Sequence, residues 1–242
     1  MLYYKGIKIA DAGFVINLKS RTDRKERITE ILDSMGFTGY EFEEGVIFEE
    51  EEWRRYGCTQ TYINIFEKSL KNNYESIIVF EDDAKQMTSI NTEQIDKIFE
   101  NWESNIKNYD LIALGTRPLH GAKIYQDSEY FGTLTNALCT QSHYYAKDFM
   151  LYTVESLGSF KEPSSSHHRV LIDEFINDCC SHEMIYKTKN KIHRVGITIP
   201  MIFTQYESYS DIEKQTVNYN LFIEGCFWDA IGLGKKIKEN NI

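Results

Sequence analysis

Three consecutive carboxylates, Glu81, Asp82 and Asp83, follow four consecutive apolar residues in the stretch SIIVFEDDAKQ, residues 76–86. Carboxylates set side by side repel, and each raises its neighbours' pKa. A divalent cation offsets that repulsion, and oxygen ligands of this kind suit Mg2+ or Mn2+. Such an ion can neutralise a bound diphosphate and stabilise it as a leaving group. Successive strand side chains point to opposite faces. Two of the three acids are therefore expected on one ion, with the third behind them. Taken alone, the triplet reads equally well as a solvated turn, since Asp is a turn former.

The elements around the triplet decide which reading has a place to work. IIVF shows no polar alternation, which suits a strand buried on both faces of a parallel sheet. Residues 9–18 are expected as a strand and SRTDRKERITEILDSMG as a helix. Ser20 would be its N-cap, Asp23 would complete a near capping box, and Gly36 would be its stop. Residues 39–48 are expected as a strand, TQTYINIFEKSLKNN and NTEQIDKIFENWESNI as helices, and YDLIALG as another apolar strand. Residues 116–133 suit a loop or hairpin, and TNALCTQSHYYA a strand. The alternation predicts an α/β fold with a mainly parallel central sheet flanked by helices. Ligands in such folds bind outside the carboxyl ends of the strands, where the triplet falls. At 242 residues the chain suits one large domain with a small appendage, here 1–221 followed by a helical tail, 222–242.

Composition narrows the partners. A net charge of −10 argues against a protein that grips phosphate backbones, so no nucleic acid is expected. Seven Glu in residues 41–52 suit a solvated face. The five Cys show no CxxC pair, which suits free thiols in a reducing compartment and a cytoplasmic location. No transmembrane run occurs. Lys235, Lys236 and Lys238 allow at most a weak peripheral membrane contact. No His spacing supports a zinc site, and no His is assigned as a ligand.

Five segments in order give the triplet a chemical setting. VINLKSRTDRKERI, GCTQTYINIFEKSL, IIVFEDDA, YDLIALG and IPMIFTQYESYSDIE span roughly residues 12–213. Together they resemble glycosyltransferase family 25, the lipopolysaccharide and procollagen galactosyltransferases, with the glycosyltransferase A fold. The resemblance implies a metal-dependent hexosyltransferase using a UDP-sugar donor and Mn2+ (or Mg2+), with inversion at the anomeric carbon. The acceptor would be a hydroxyl of a glycan or a protein, and the sugar galactose or glucose. It implies nucleotide contacts from Asn17, Arg21 and Arg24. An Arg at a helix start is costly without an anionic partner, which fits that role. It makes Asp83 the direct metal ligand, Asp82 a metal or phosphate contact, and Glu81 a ligand or the acid behind it. It places Asp173 as general base, and Gln205 or Ser210 near the diphosphate; Ser210 and Asp211 also read simply as a helix cap.

One departure is plain. The family pattern has Ser-His where this chain has Thr61-Tyr62, and Tyr cannot serve as an imidazole does near neutral pH. The alternative is a catalytically degenerate protein of the same fold that binds a nucleotide-sugar or glycan. A nucleotidyl transferase is weaker, because KSRTDRKER lacks the glycines expected of that class.

Overall fold

The structure, a computed structural model, describes residues 1–50, 53–119, 121–157, 171–180, 193–210, 215–217 and 220–232. The chain opens with β1 (Leu2–Tyr4), β2 (Ile7–Ala10), β3 (Ala12–Asn17), α1 (Thr22–Met35), β4 (Phe37–Thr38) and β5 (Tyr40–Glu44). Next come α2 (Tyr56–Lys71), β6 (Ser76–Glu81), β7 (Ala84–Gln86), α3 (Thr92–Glu100), α4 (Trp102–Ile106) and β8 (Leu111–Pro118). They are followed by β9 (Ile124–Gln126), β10 (Phe131–Leu134), β11 (Ala137–Ala146), α5 (Lys147–Leu157) and α6 (Ile172–Cys180). The last are β12 (Val195–Thr198), β13 (Phe203–Gln205), β14 (Ser208–Ser210), β15 (Gln215–Val217) and α7 (Asn220–Ala230).

Eight strands form the central sheet, in the order β5-β3-β6-β11-β8-β12-β10-β9. β5, β3 and β6 pair in parallel, as do β8 and β12, while β11 and β10 run against the other six. The fold is thus α/β with a mixed sheet whose strands mainly point one way. The expected fold class holds. The antiparallel β11 is the addition: it is inserted between β6 and β8 and separates the two parallel sets.

The apolar run at β6 explains the layering. Ile77 and Val79 enter one buried cluster with Phe66 of α2, Phe149 of α5 and Phe175 of α6. Ile78 and Phe80 enter the other, with Ile28 of α1, Phe99 of α3, Trp102 of α4 and Phe227 of α7. Period-2 alternation therefore feeds two cores, one on each face, and all four residues are 0% exposed. Trp102 Nε1 donates to the Ile9 carbonyl at 2.8 Å, which satisfies the polar edge of a buried ring.

Local expectations are corrected at three points. The strand expected over 9–18 breaks at Asp11, whose Oδ2 accepts from the backbone N–H groups of Glu75 and Ser76. The expected third helix divides at Asn101 into α3 and α4, with a complete capping box from Asn91 and Gln94 at its start. Helix α1 is not capped by Ser20. A turn from Arg21 N–H to the Leu18 carbonyl makes Arg21 the cap residue, with no side-chain cap. Gly36 does end α1, in the left-handed conformation at φ 92° that glycine adopts without strain.

Candidate active site

Because β3, β5 and β6 are parallel, their carboxyl ends share one edge. Asn17 closes β3, Glu81 closes β6, and Asp82 and Asp83 form the turn into β7. β11 runs the other way, so its amino-terminal half reaches the same edge, with Ser142 opposite Phe80. The register of β11 slips between Leu138 and Ser142, where Cys139 sits at φ 69°. This bulge re-aims Thr140 and Gln141.

The acids are held individually. Asp82 accepts from Asn17 Nδ2 at 2.7 Å and from Arg24 Nη1 at 2.7 Å. The same Arg24 nitrogen lies 3.6 Å from Asp83 Oδ2, which also accepts from Gln205 Nε2 at 2.8 Å. β13 brings Gln205 there by pairing it with Ala84 of β7, and the Tyr206 N–H donates to the Asp83 carbonyl. Arg24 at the start of α1 thus has its anionic partner. Arg21 pairs instead with Asp23, at 3.0 Å.

Asp83 Oδ1 is different. It is buried and has no hydrogen-bond partner among the described residues. A buried acceptor left unmade costs about 1–3 kcal/mol, more for a charged group. Burial and the neighbouring Asp82 charge push the Asp83 carboxyl up, and Arg24 pulls it down. Glu81 is pushed up to about 8 by burial and by the Asp83 charge. Thr140 Oγ1 donates to Glu81 Oε1, and the Tyr62 hydroxyl, donating to the Thr140 carbonyl, lies 3.4 Å from the same oxygen. Tyr62 is therefore a buried neutral hydroxyl beside Glu81, with its pKa raised well above the usual value by burial.

These residues line one cavity of about 450 Å³, within the usual small-molecule range of about 300–1,000 Å³. Asn17, Arg24, Glu81, Asp82, Asp83, Asp173 and Gln205 all face it. Asp173 arrives on the first turn of α6, which is pinned because the Ile172 N–H donates to Thr59 Oγ1 of α2 at 2.9 Å. Ser210 has a backbone place at the end of β14, opposite Gln215. Asp211, His120, His167, His168, His182 and the three C-terminal lysines lie outside the described residues. Sequence reasoning missed Thr140, Gln141, Cys58, Arg54 and Arg55, which also line the cavity. The signal for the first two was a polar Thr-Gln-Ser run inside an otherwise strand-like segment.

Among the described residues, no three His, Cys, Asp or Glu are arranged to hold a metal by themselves. The donor set fits a different arrangement. Asp83 Oδ1, with Glu81 beside it, suits a hard cation held by one or two carboxylates and completed by phosphate oxygens and water. Among the described residues, no helix is long and apolar enough to cross a membrane, and Cys58, Cys139, Cys179 and Cys226 are free thiols.

No protein-family model matches the sequence, and no curated protein matches it. Several solved structures are distantly similar in outline, three of them as follows. A glycosyltransferase involved in glycosylation of the major capsid of PBCV-1 is 12% identical, with a TM-score of 0.43 over 88% of this chain and 98% of that one. The mannose-1-phosphate geranyltransferase of Thermus thermophilus is 10% identical, with a TM-score of 0.41 over 77% of this chain and 72% of that one. A nucleoside-diphosphate-sugar pyrophosphorylase from Vibrio cholerae is 13% identical, with a TM-score of 0.37 over 77% of this chain and 72% of that one. At these scores the chain's function has to come from its own site.

Proposed function

We propose that the protein is a glycosyltransferase of the family 25 type. It moves a hexose, galactose or glucose, from a UDP-sugar to a hydroxyl of a glycan or protein acceptor, with inversion. The observation that carries this is the buried Asp83 Oδ1, without a partner among the described residues, in a cavity at the carboxyl edge of the sheet. Mn2+ or Mg2+ bound by Asp83 and Glu81 would supply the positive charge that a departing diphosphate needs.

The chain's own groups do the rest. Gln205 fixes Asp83 Oδ2 and so leaves Oδ1 as the oxygen that would take the cation. Asn17 and Arg24 hold Asp82 in place, and Arg24 adds charge beside the phosphates. Asp173 takes the proton from the acceptor hydroxyl. That oxygen bonds to the anomeric carbon, and the bond to the diphosphate oxygen breaks with its electron pair leaving on the nucleoside diphosphate. Attack and departure on opposite faces invert the centre.

The second reading, a degenerate nucleotide-sugar binder, draws on Glu81. It holds its proton near neutral pH, and Tyr62 replaces an imidazole beside it. One experiment separates the two. The protein is incubated with Mn2+, a panel of nucleotide-sugars and candidate acceptors, and release of nucleoside diphosphate is followed. Turnover is expected with one UDP-hexose. Binding without turnover favours the degenerate reading, and no binding of any donor overturns both.

A further inference from the structure

The cavity has a second, oppositely charged wall. Arg54 and Arg55 precede α2 and face the same space as the acidic triplet. They make no ion pair among the described residues, although Glu49 and Glu50 lie close in the sequence. Two cations at a helix amino end oppose the helix dipole. The cap residue, Arg55, has no side-chain cap bond, and the first turn of α2 carries no acid. The loop before it is tightly set. Thr61 Oγ1 accepts from the Val46 N–H at 2.8 Å, and a Cβ at Gly57 would collide with the Val46 carbonyl. The arginines are thus held on a fixed helix end, facing a cavity whose buried Asp83 Oδ1 already marks it as a ligand site.

A diphosphate bound through a cation at Asp83 and Glu81 has its charge met there and by Arg24. Two further guanidinium groups, without an ion pair among the described residues, leave positive charge that a neutral acceptor would not use. We propose that Arg54 and Arg55 bind an anionic group, a carboxylate or phosphate, on the acceptor glycan. This deepens the transferase reading and depends on it for the word acceptor. Arg suits both groups because its planar fork donates two parallel hydrogen bonds.

The test titrates wild-type protein and the Arg54→Ala/Arg55→Ala variant by ligand-observed NMR. The probes are methyl glucuronide and glucose 6-phosphate, with methyl glucoside as the neutral control and UDP with Mn2+ as the donor probe. Wild type is expected to bind at least one acidic probe about tenfold tighter than the neutral control, and the variant to lose that preference. If the variant loses UDP affinity tenfold while the acidic preference stays, the arginines serve the donor and the proposal falls. It falls equally if wild type does not prefer the acidic sugars. Failure of UDP to bind wild type would instead overturn the donor reading, leaving the sugar titrations to judge the arginines. The exposed single change, Arg55→Ala, with an unchanged melting curve, covers any folding loss in the double variant.

Discussion

Two oxygens on Asp83 have different fates, and that difference is testable. Oδ2 is held by Gln205, while Oδ1 is buried without a partner among the described residues. Asp83→Asn would swap a ligand oxygen for an amide in the same volume. Cation-dependent sugar transfer should fall by about 10²–10³-fold, the loss expected when one charge-stabilising group is removed, while the melting temperature holds or rises. Unchanged release of nucleoside diphosphate would remove Asp83 from the metal. Glu81 gives a prediction in pH. Its folded pKa, about 8, lies above its ordinary 4.5. The folded chain thus keeps a proton that the unfolded chain releases. The stabilisation is complete below pH 4.5 and is lost as pH rises towards 8. Without a cation, stability should fall across that window by up to about 1.4 kcal/mol per pH unit. Glu81→Gln keeps the acceptor for Thr140 but cannot ionise, so its thermal unfolding should show a shallower slope between about pH 5 and pH 8. An identical slope would mean that Glu81 is ionised in the folded chain.

Among the elements, α6 matters most for chemistry, because Thr59 holds its first turn and with it Asp173. Thr59→Val leaves the buried Ile172 N–H without its acceptor, a cost of about 1–3 kcal/mol. It should lower kcat more than it raises the donor KM, and Thr59→Ser should restore the rate. A loss matched by equal loss in the Ser variant would mean that only packing was disturbed. How far each element is legible in the sequence follows the same physics. β6 is legible because an apolar run with no polar alternation fits a strand buried on both faces, and α1 because Ile28, Leu32 and Met35 recur at helical spacing. The break at Asp11 is hidden, since it depends on N–H groups 64 and 65 residues away. The antiparallel course of β11 is hidden too. A strand's own residues do not state its direction, and the bulge that turns Thr140 inward needs its neighbours β6 and β8.

At the scale of the whole molecule, one edge of the sheet collects negative charge in a chain that already carries −10. Glu81, Asp82 and Asp83 come together there because β6 ends where β3 and β5 end, and β13 closes the rim through Gln205. A diphosphate seated against these acids, rather than against the arginine wall, meets their repulsion unless a cation arrives with it. Ligand binding to the folded chain alone raises its stability by RT ln(1 + [L]/Kd), about 2.7 kcal/mol at one hundred times Kd. In a chain of this length that corresponds to a rise in Tm of roughly 5–10 °C. Saturating UDP and Mn2+ together should give such a shift, and either alone should give much less. Asp83→Asn should remove the cation-dependent part. An equal shift from UDP alone would separate the nucleotide from the acidic edge and leave the three carboxylates with no role in binding it.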